Sequence, residues 1–284
     1  MAEPVTVIEA HRGSVQRVVF SPDGASLLSC GQDAVVRLWR VPSFAADGAF
    51  EGHGASVNTL SFSADGGVLA SGSSDGTVRV WSFPGGRELD LLEGQVAAAV
   101  SPAGGLATIS TKVRAVLWDS NYDELATLPL LDRRLFSLAF SPDGAVLLAA
   151  GAGAVHRVDV KGRAKAGEYA GHQTAVAGMA LSADGSLLAT TGAEGTLRVR
   201  SFAGGTERFA VRPGRPGSLQ VALAPGGSVV AVSIEFAVQL RSTADGALLE
   251  TLEVPSKGVH GLAFSPDGRF LAVAGADGKV RVWA

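Results

Sequence analysis

Apolar residues in this chain fall in short runs divided by turn residues. Between His11 and Trp39 the sequence reads HRGSVQRVVFSPDGASLLSCGQDAVVRLW. One run rich in Val and Phe and one rich in Leu and Ser flank a Ser-Pro-Asp-Gly turn, and residues 35–39 follow a Gln-Asp turn. Runs of this kind between Pro, Asp and Gly predict successive antiparallel strands. Residues 15–20, 57–62, 136–140, 176–181 and 259–264 are mostly apolar, which predicts strands covered on both faces. Residues 49–51, 88–92, 124–128, 164–169, 207–211 and 247–252 mix polar and apolar positions, which predicts strands at a rim.

The design recurs. The turn begins at Ser21, Ser63, Ser101, Ser141, Ser182, Ala224 and Ser265, in steps of 42, 38, 40, 41, 42 and 41 residues. A second marker follows each turn by 17 or 18 residues: Trp39, Trp81, Trp118, Val158, Arg200, Arg241 and Trp283. Two markers in register through seven copies define a repeat protein. The repeats begin near residues 11, 53, 94, 132, 172, 214 and 256.

Composition narrows the class. The 284 residues are 46% hydrophobic, with 37 Gly and 12 Pro, which suits many tight turns. Cys30 is the one cysteine, so no intrachain disulfide can form. The first residues, MAEPVTVIEAH, lack the basic-then-apolar order of a signal peptide, and no run reaches the ~20 apolar residues of a membrane helix. These features predict a cytoplasmic monomer without membrane attachment. With 24 basic and 27 acidic residues there is no global attraction to nucleic acid, and none is expected as a partner.

A period near 40 residues, with Gly52-His53 early and SSDGTVRVW at 73–81 late, resembles the WD-repeat family of β-propellers over essentially the whole chain. The resemblance implies an all-β fold: a seven-bladed propeller of four-stranded antiparallel blades, one unit over residues 1–284. After Trp283 only Ala284 remains, so the last repeat lacks its outer strand. Residues 5–9 are expected to supply it, pairing with the last blade and closing the ring.

In that family a His, a Ser or Thr, an Asp and the Trp of one blade form a hydrogen-bonded tetrad. The matching residues are His11, Ser29, Asp33 and Trp39 in repeat one, and His53, Ser71, Asp75 and Trp81 in repeat two. Repeat five has His172, Thr190, Glu194 and Arg200; repeat seven keeps Asp277 and Trp283; repeat three keeps Trp118; repeats four and six keep almost nothing. A His beside an Asp could move protons. Mutual satisfaction of buried polar groups is the expected role.

Other candidates are weaker. Asp23, Asp65, Asp143, Asp184 and Asp267 could be a ring of cation ligands, but Pro-Asp-Gly is ordinary turn chemistry. Arg37, Arg79, Arg198 and Arg281, each two residues before a marker, form a basic stripe only in sequence, one per blade. No zinc spacing, nucleophile elbow, P-loop or dinucleotide fingerprint occurs, and no metal or cofactor is expected.

The resemblance implies binding of proteins or peptides at the channel mouth, where Gln16, Gln32, Asn58, Phe136 and His260 are expected. Lys112, Arg133, Arg134, Arg212, Arg215 and Lys257 fall in segments that open on the same face. This reading predicts a non-catalytic scaffold that docks an acidic or phosphorylated segment, with Arg133 and Arg134 as charge anchors and Phe136 and His260 as central contacts. The alternative is a propeller enzyme or small-ligand binder in the channel mouth.

Overall fold

The structure, a computed structural model, describes residues 3–128, 134–217 and 219–284. It consists of short antiparallel strands. After β1 (Thr6–Glu9), the first repeat forms a sheet of β2 (Val15–Phe20), β3 (Ser26–Gly31), β4 (Val36–Arg40) and β5 (Ala45–Phe50). The second forms β6 (Val57–Phe62), β7 (Val68–Ser73), β8 (Thr77–Ser82) and β9 (Glu88–Glu93). The third forms β10 (Gln95–Val100), β11 (Leu106–Ser110), β12 (Ala115–Trp118) and β13 (Glu124–Thr127).

Repeats four and five share one seven-stranded sheet. Its strands are β14 (Ser137–Phe140), β15 (Val146–Ala150), β16 (Ala152–Asp159), β17 (Ala164–Leu181), β18 (Leu187–Gly192), β19 (Leu197–Ser201) and β20 (Glu207–Val211). This departs from the expectation of separate four-stranded units, and the cause is local. Repeat four has no Asp in the turn between β15 and β16. A tight turn at Gly151–Gly153, with Gly153 at φ 97°, replaces it. β16 therefore starts early enough for Ala152 to pair with Ala175, and backbone pairing carries the outer strand of repeat four into the inner strand of repeat five.

Repeat six forms β21 (Val221–Leu223), β22 (Val229–Ile234), β23 (Ala237–Ser242) and β24 (Leu248–Glu253). Repeat seven forms β25 (Val259–Phe264), β26 (Leu271–Gly275) and β27 (Lys279–Trp283), and β1 completes that sheet, with Thr6 opposite Val282 and Ile8 opposite Val280.

The core lies between sheets. Leu28, Val36 and Leu38 of repeat one pack with Leu60, Leu69 and Trp81 of repeat two. Similar clusters join each repeat to the next. A further cluster sets Ile8, Val280 and Val282 against Val15, Val18 and Trp39, so the last sheet packs on the first. Fully burying a Val or Leu side chain is worth about 1.5–3 kcal/mol. One sheet has no apolar partner of its own, so stability comes from these shared faces. The turns follow the same neighbour relation: Gly66 lies beside Pro22, Gly185 beside Pro142, and Gly24 beside Pro266 of the last repeat.

Candidate functional site

The innermost strands surround a cavity of about 570 Å³. Its walls include Gln16 of β2, Asn58 of β6, Ala97 of β10, Phe136 beside β14, Ala177 of β17, Gln220 before β21 and His260 of β25. A shared irregularity sets the rim. The register of the first two strands shifts between Val15 and Arg17, Val57 and Thr59, Gln95 and Ala97, Val176 and Gly178, and Val259 and Gly261. A bulge leaves one residue out of the ladder and re-aims its side chain. Gln16, Asn58, Val96, Ala177 and His260 are those residues, and all but Val96 line the cavity.

Their surroundings differ. The Asn58 amide donates to Ser74 Oγ at 2.8 Å, and Ser56 Oγ donates to Asn58 Oδ1 at 2.9 Å, so this side chain is held in place. His260 is half-buried, and burial pushes its imidazole below the ordinary value, favouring the neutral ring. Phe136 is 42% exposed, although its neighbour Leu135 is buried. Arg134 is exposed beside it.

The other predicted contacts lie outside the cavity lining. Gln32 is exposed and accepts the Ser14 backbone N–H at 3.2 Å. Lys112 is exposed in the turn between β11 and β12. Arg212 lines a separate pocket with Gln173, Glu194 and Arg198. Arg215 faces Glu235 at 3.5 Å, an ion pair open to solvent. Arg133 lies outside the described residues. Arg17 and Gln220, both in the cavity wall, were missed in the sequence.

The tetrad residues sit inside the blades. In repeat two, His53 Nδ1 is 2.9 Å from Asp75 Oδ2, and His53 Nε2 is 2.8 Å from Ser71 Oγ, which accepts the Trp81 indole N–H at 2.9 Å. Repeat one repeats this: His11 to Asp33 at 2.8 Å, His11 to Ser29 at 2.8 Å, Trp39 to Ser29 at 2.9 Å. Burial lowers the pKa of His11 and His53 although the carboxylates beside them oppose the shift. For Asp33 burial acts the other way, but hydrogen bonds from His11 and Arg37 outweigh it and keep the carboxyl ionised below its usual range. A Ser, a His and an Asp in series look like hydrolytic machinery. Here Ser29 and Ser71 are fully buried and already bound to indole, so a substrate has no path to either hydroxyl.

Repeat five links His172 to Glu194 at 2.6 Å and to Thr190 at 2.9 Å, and hydrogen bonds from Thr174 and His172 outweigh burial and hold Glu194 at about 2. Repeat three carries a network that sequence reading missed. Thr108 donates to Gln95 Oε1 at 2.7 Å and accepts the Trp118 indole N–H at 2.7 Å, so Gln95, reaching in from the inner strand, partners the hydroxyl as His does in repeats one, two and five. In repeat seven Arg281 takes over, donating to Asp277 at 2.6 Å and to the Pro255 carbonyl at 3.2 Å.

In the Pro-Asp-Gly turns each Asp is occupied locally: Ser21 donates to Asp23 at 2.5 Å, and Ser141 to Asp143 at 2.5 Å. Among the described residues no group of three or more His, Cys, Asp or Glu is arranged to hold a metal ion. Among them, too, no helix is long and apolar enough to cross a membrane. Cys30 is a free thiol at 0% exposure, and burial pushes its pKa up.

A repeating four-stranded antiparallel unit with an internal His–hydroxyl–Trp bond defines a class of repeat protein. Residues 2–40, 47–82, 164–201 and 246–284, somewhat over half of the chain, match the WD domain, G-beta repeat family. The chain belongs to this WD-repeat family, whose members generally act as protein-interaction scaffolds and are typically non-enzymatic. It is 28% identical over 114 residues, 40% of its length, to an uncharacterized WD repeat-containing protein of Synechocystis, of which that stretch covers 33%. It is 30% identical over 204 residues, 69% of its length, to telomerase protein component 1 of Mus musculus, covering 8% of that protein. It is 42% identical over 36 residues, 13% of its length, to DDB1- and CUL4-associated factor 13 of Dictyostelium discoideum, also covering 8%. The chain thus spans a third or less of these relatives.

Proposed function

We propose that residues 1–284 form a single seven-bladed propeller, closed by β1, that binds an acidic or phosphorylated peptide segment of a protein partner at the channel mouth. The observation that carries the docking site is the common placement of the bulge residues Gln16, Asn58 and His260 with Phe136 on one cavity rim. Phe136 offers an exposed ring beside the cavity, and Arg134, exposed and in no ion pair with the described residues, offers a cation next to it. Aromatic and Arg side chains at the centre of a rim are the usual anchors of a peptide interface. Packing of the last sheet on the first supports the ring. The name of the Dictyostelium relative, a factor associated with two other proteins, favours a protein partner.

The experiment is capture of the native partner by the wild-type chain and by a variant carrying Arg133→Glu and Arg134→Glu. The variant is expected to lose capture while keeping its melting temperature. Retained capture rejects the arginines as anchors. A monomer is expected by light scattering.

A further inference from the structure

The cavity wall holds one charge that the docking reading does not use. Arg17 lies on β2, next to the bulge residue Gln16, and lines the cavity. Its guanidinium makes no ion pair or hydrogen bond with the described residues. Among the described residues no Asp, Glu or Lys lines the cavity with it; the remaining described lining is small, apolar or amide-bearing, apart from His260. The nearby Cys30 thiol stays protonated because burial raises its pKa, so it supplies no countercharge. Other chain positions at this register are uncharged: Thr59, Ala97, Gly178 and Gly261 each follow the same bulge. On the neighbouring strand, the buried Thr59 hydroxyl has no hydrogen-bond partner.

An unpaired, partly exposed guanidinium on a cavity wall of low dielectric attracts an anion. Burial lowers the Arg17 pKa. The planar fork of Arg matches two oxygens of one carboxylate or phosphate. The amide side chains of Gln16 and Gln220, on the same wall, add neutral donors.

We infer that the central cavity binds a small oxyanion, a phosphate or carboxylate group, with Arg17 as its charge partner. The site does not depend on the peptide reading, since a free ion can fill it. It also admits a group carried on a peptide side chain inserted from the mouth. The two sources share one chemistry and differ in what else binds.

The test uses the full chain with inorganic phosphate, in chloride buffers of matched ionic strength. Calorimetric titration and the melting temperature are read for the wild type and for Arg17→Met. The wild type is expected to bind phosphate and to melt higher as phosphate rises. Arg17→Met is expected to bind at least about tenfold more weakly, because a charge-assisted bidentate contact is lost. Without phosphate it is expected to melt close to the wild type, since the Arg17 side chain is partly exposed and pairs with no described residue. Equal phosphate effects in both proteins overturn the proposal, as does a wild type that responds only to ionic strength.

The unmutated protein gives a second reading. The phosphorus resonance of phosphate should broaden with protein and sharpen when acetate competes; failure to broaden counts against the site. Arg87→Glu, in an exposed turn between β8 and β9 and outside the cavity lining, should leave phosphate binding unchanged, and a loss there would mark a general charge effect and overturn the assignment to Arg17. Tighter binding of N-acetyl-phosphoserine amide than of phosphate marks a peptide-borne group. Equal binding marks a free ion, and either result supports the site.

Discussion

Repeats two and six solve one packing problem in opposite ways. In repeat two the position opposite Arg79 is Ser71, whose hydroxyl ties His53 to Trp81 inside the sheet. In repeat six the equivalent position, opposite Gln239, is Val232, fully buried. The marker Trp81 is replaced there by Arg241, which donates to Gln239 Oε1 at 2.7 Å and to the Gly246 carbonyl at 2.7 Å. One sheet is pinned by a buried polar network and the other is dry at its centre. Both keep the backbone ladder and the apolar faces shared with their neighbours. The network is therefore an addition to the fold, and the shared faces are its basis. Repeats three and five, with Thr108 and Thr190, side with repeat two; repeats four and seven, with Ala149 and Val273, side with repeat six.

The widest test removes shared faces altogether. Repeat seven has no buried hydroxyl at the Val273 position and takes its outer strand from β1. Deleting residues 1–9 strips Ile8 from its cluster and exposes the edge of β27. A loss of about 5 kcal/mol is expected in denaturant unfolding, from apolar burial and strand pairing together. An unchanged midpoint would mean that β1 contributes nothing to holding the sheets together.

Next comes the marker itself. Trp81 is 4% exposed and packs edge-on to Phe50, with ring centroids 5.7 Å apart. Trp81→Ala is expected to cost about 3–5 kcal/mol. Arg241→Ala in repeat six should cost about 1 kcal/mol, since it removes partly exposed hydrogen bonds. Equal costs would erase the distinction between the two sheets.

The hydroxyl gives a smaller and more specific contrast. Ser71→Ala leaves the His53 nitrogen and the Trp81 N–H without their common partner, at about 2–3 kcal/mol. The reciprocal change, Val232→Ser, places a hydroxyl where no His or Trp waits for it and should also destabilise, by about 1–3 kcal/mol. If Val232→Ser were neutral, the dry centre of repeat six would have no energetic meaning.

The seven-fold period was readable because turn and marker recur at chemically demanding places. The tetrads of repeats one and two were readable because His, Ser, Asp and Trp all stand at their spacings. Gln95 was not, because Gln lacks the ring that marks the motif and the spacing shortens to 38 residues there. The joined sheet of repeats four and five was hidden because it rests on backbone pairing at Ala152, where side chains give no signal. Arg17 was missed for a geometric reason: simple alternation puts it on the face of Val15 and Val19, and the bulge after Val15 changes that parity. The mouth arginines were read from segment position alone, and position does not fix which side chains converge.

The finest distinction is in pH. Burial holds His53 below its ordinary value, so the folded sheet prefers the neutral ring. The unfolded chain titrates near about 6.5. As the pH falls below that value the unfolded chain takes up a proton that the folded chain resists, and stability declines with falling pH. His11, His172 and His260 shift in the same direction and add to the slope. Repeat six, without such a His, should contribute nothing between pH 7 and pH 5. Repeat three shows that Gln can accept the same hydroxyl without titrating. His53→Gln should therefore keep a bond to Ser71 while flattening the fall in melting temperature between pH 7 and pH 5. A slope as steep as that of the wild type would show that the polar centre of repeat two does not set the acid sensitivity of the chain.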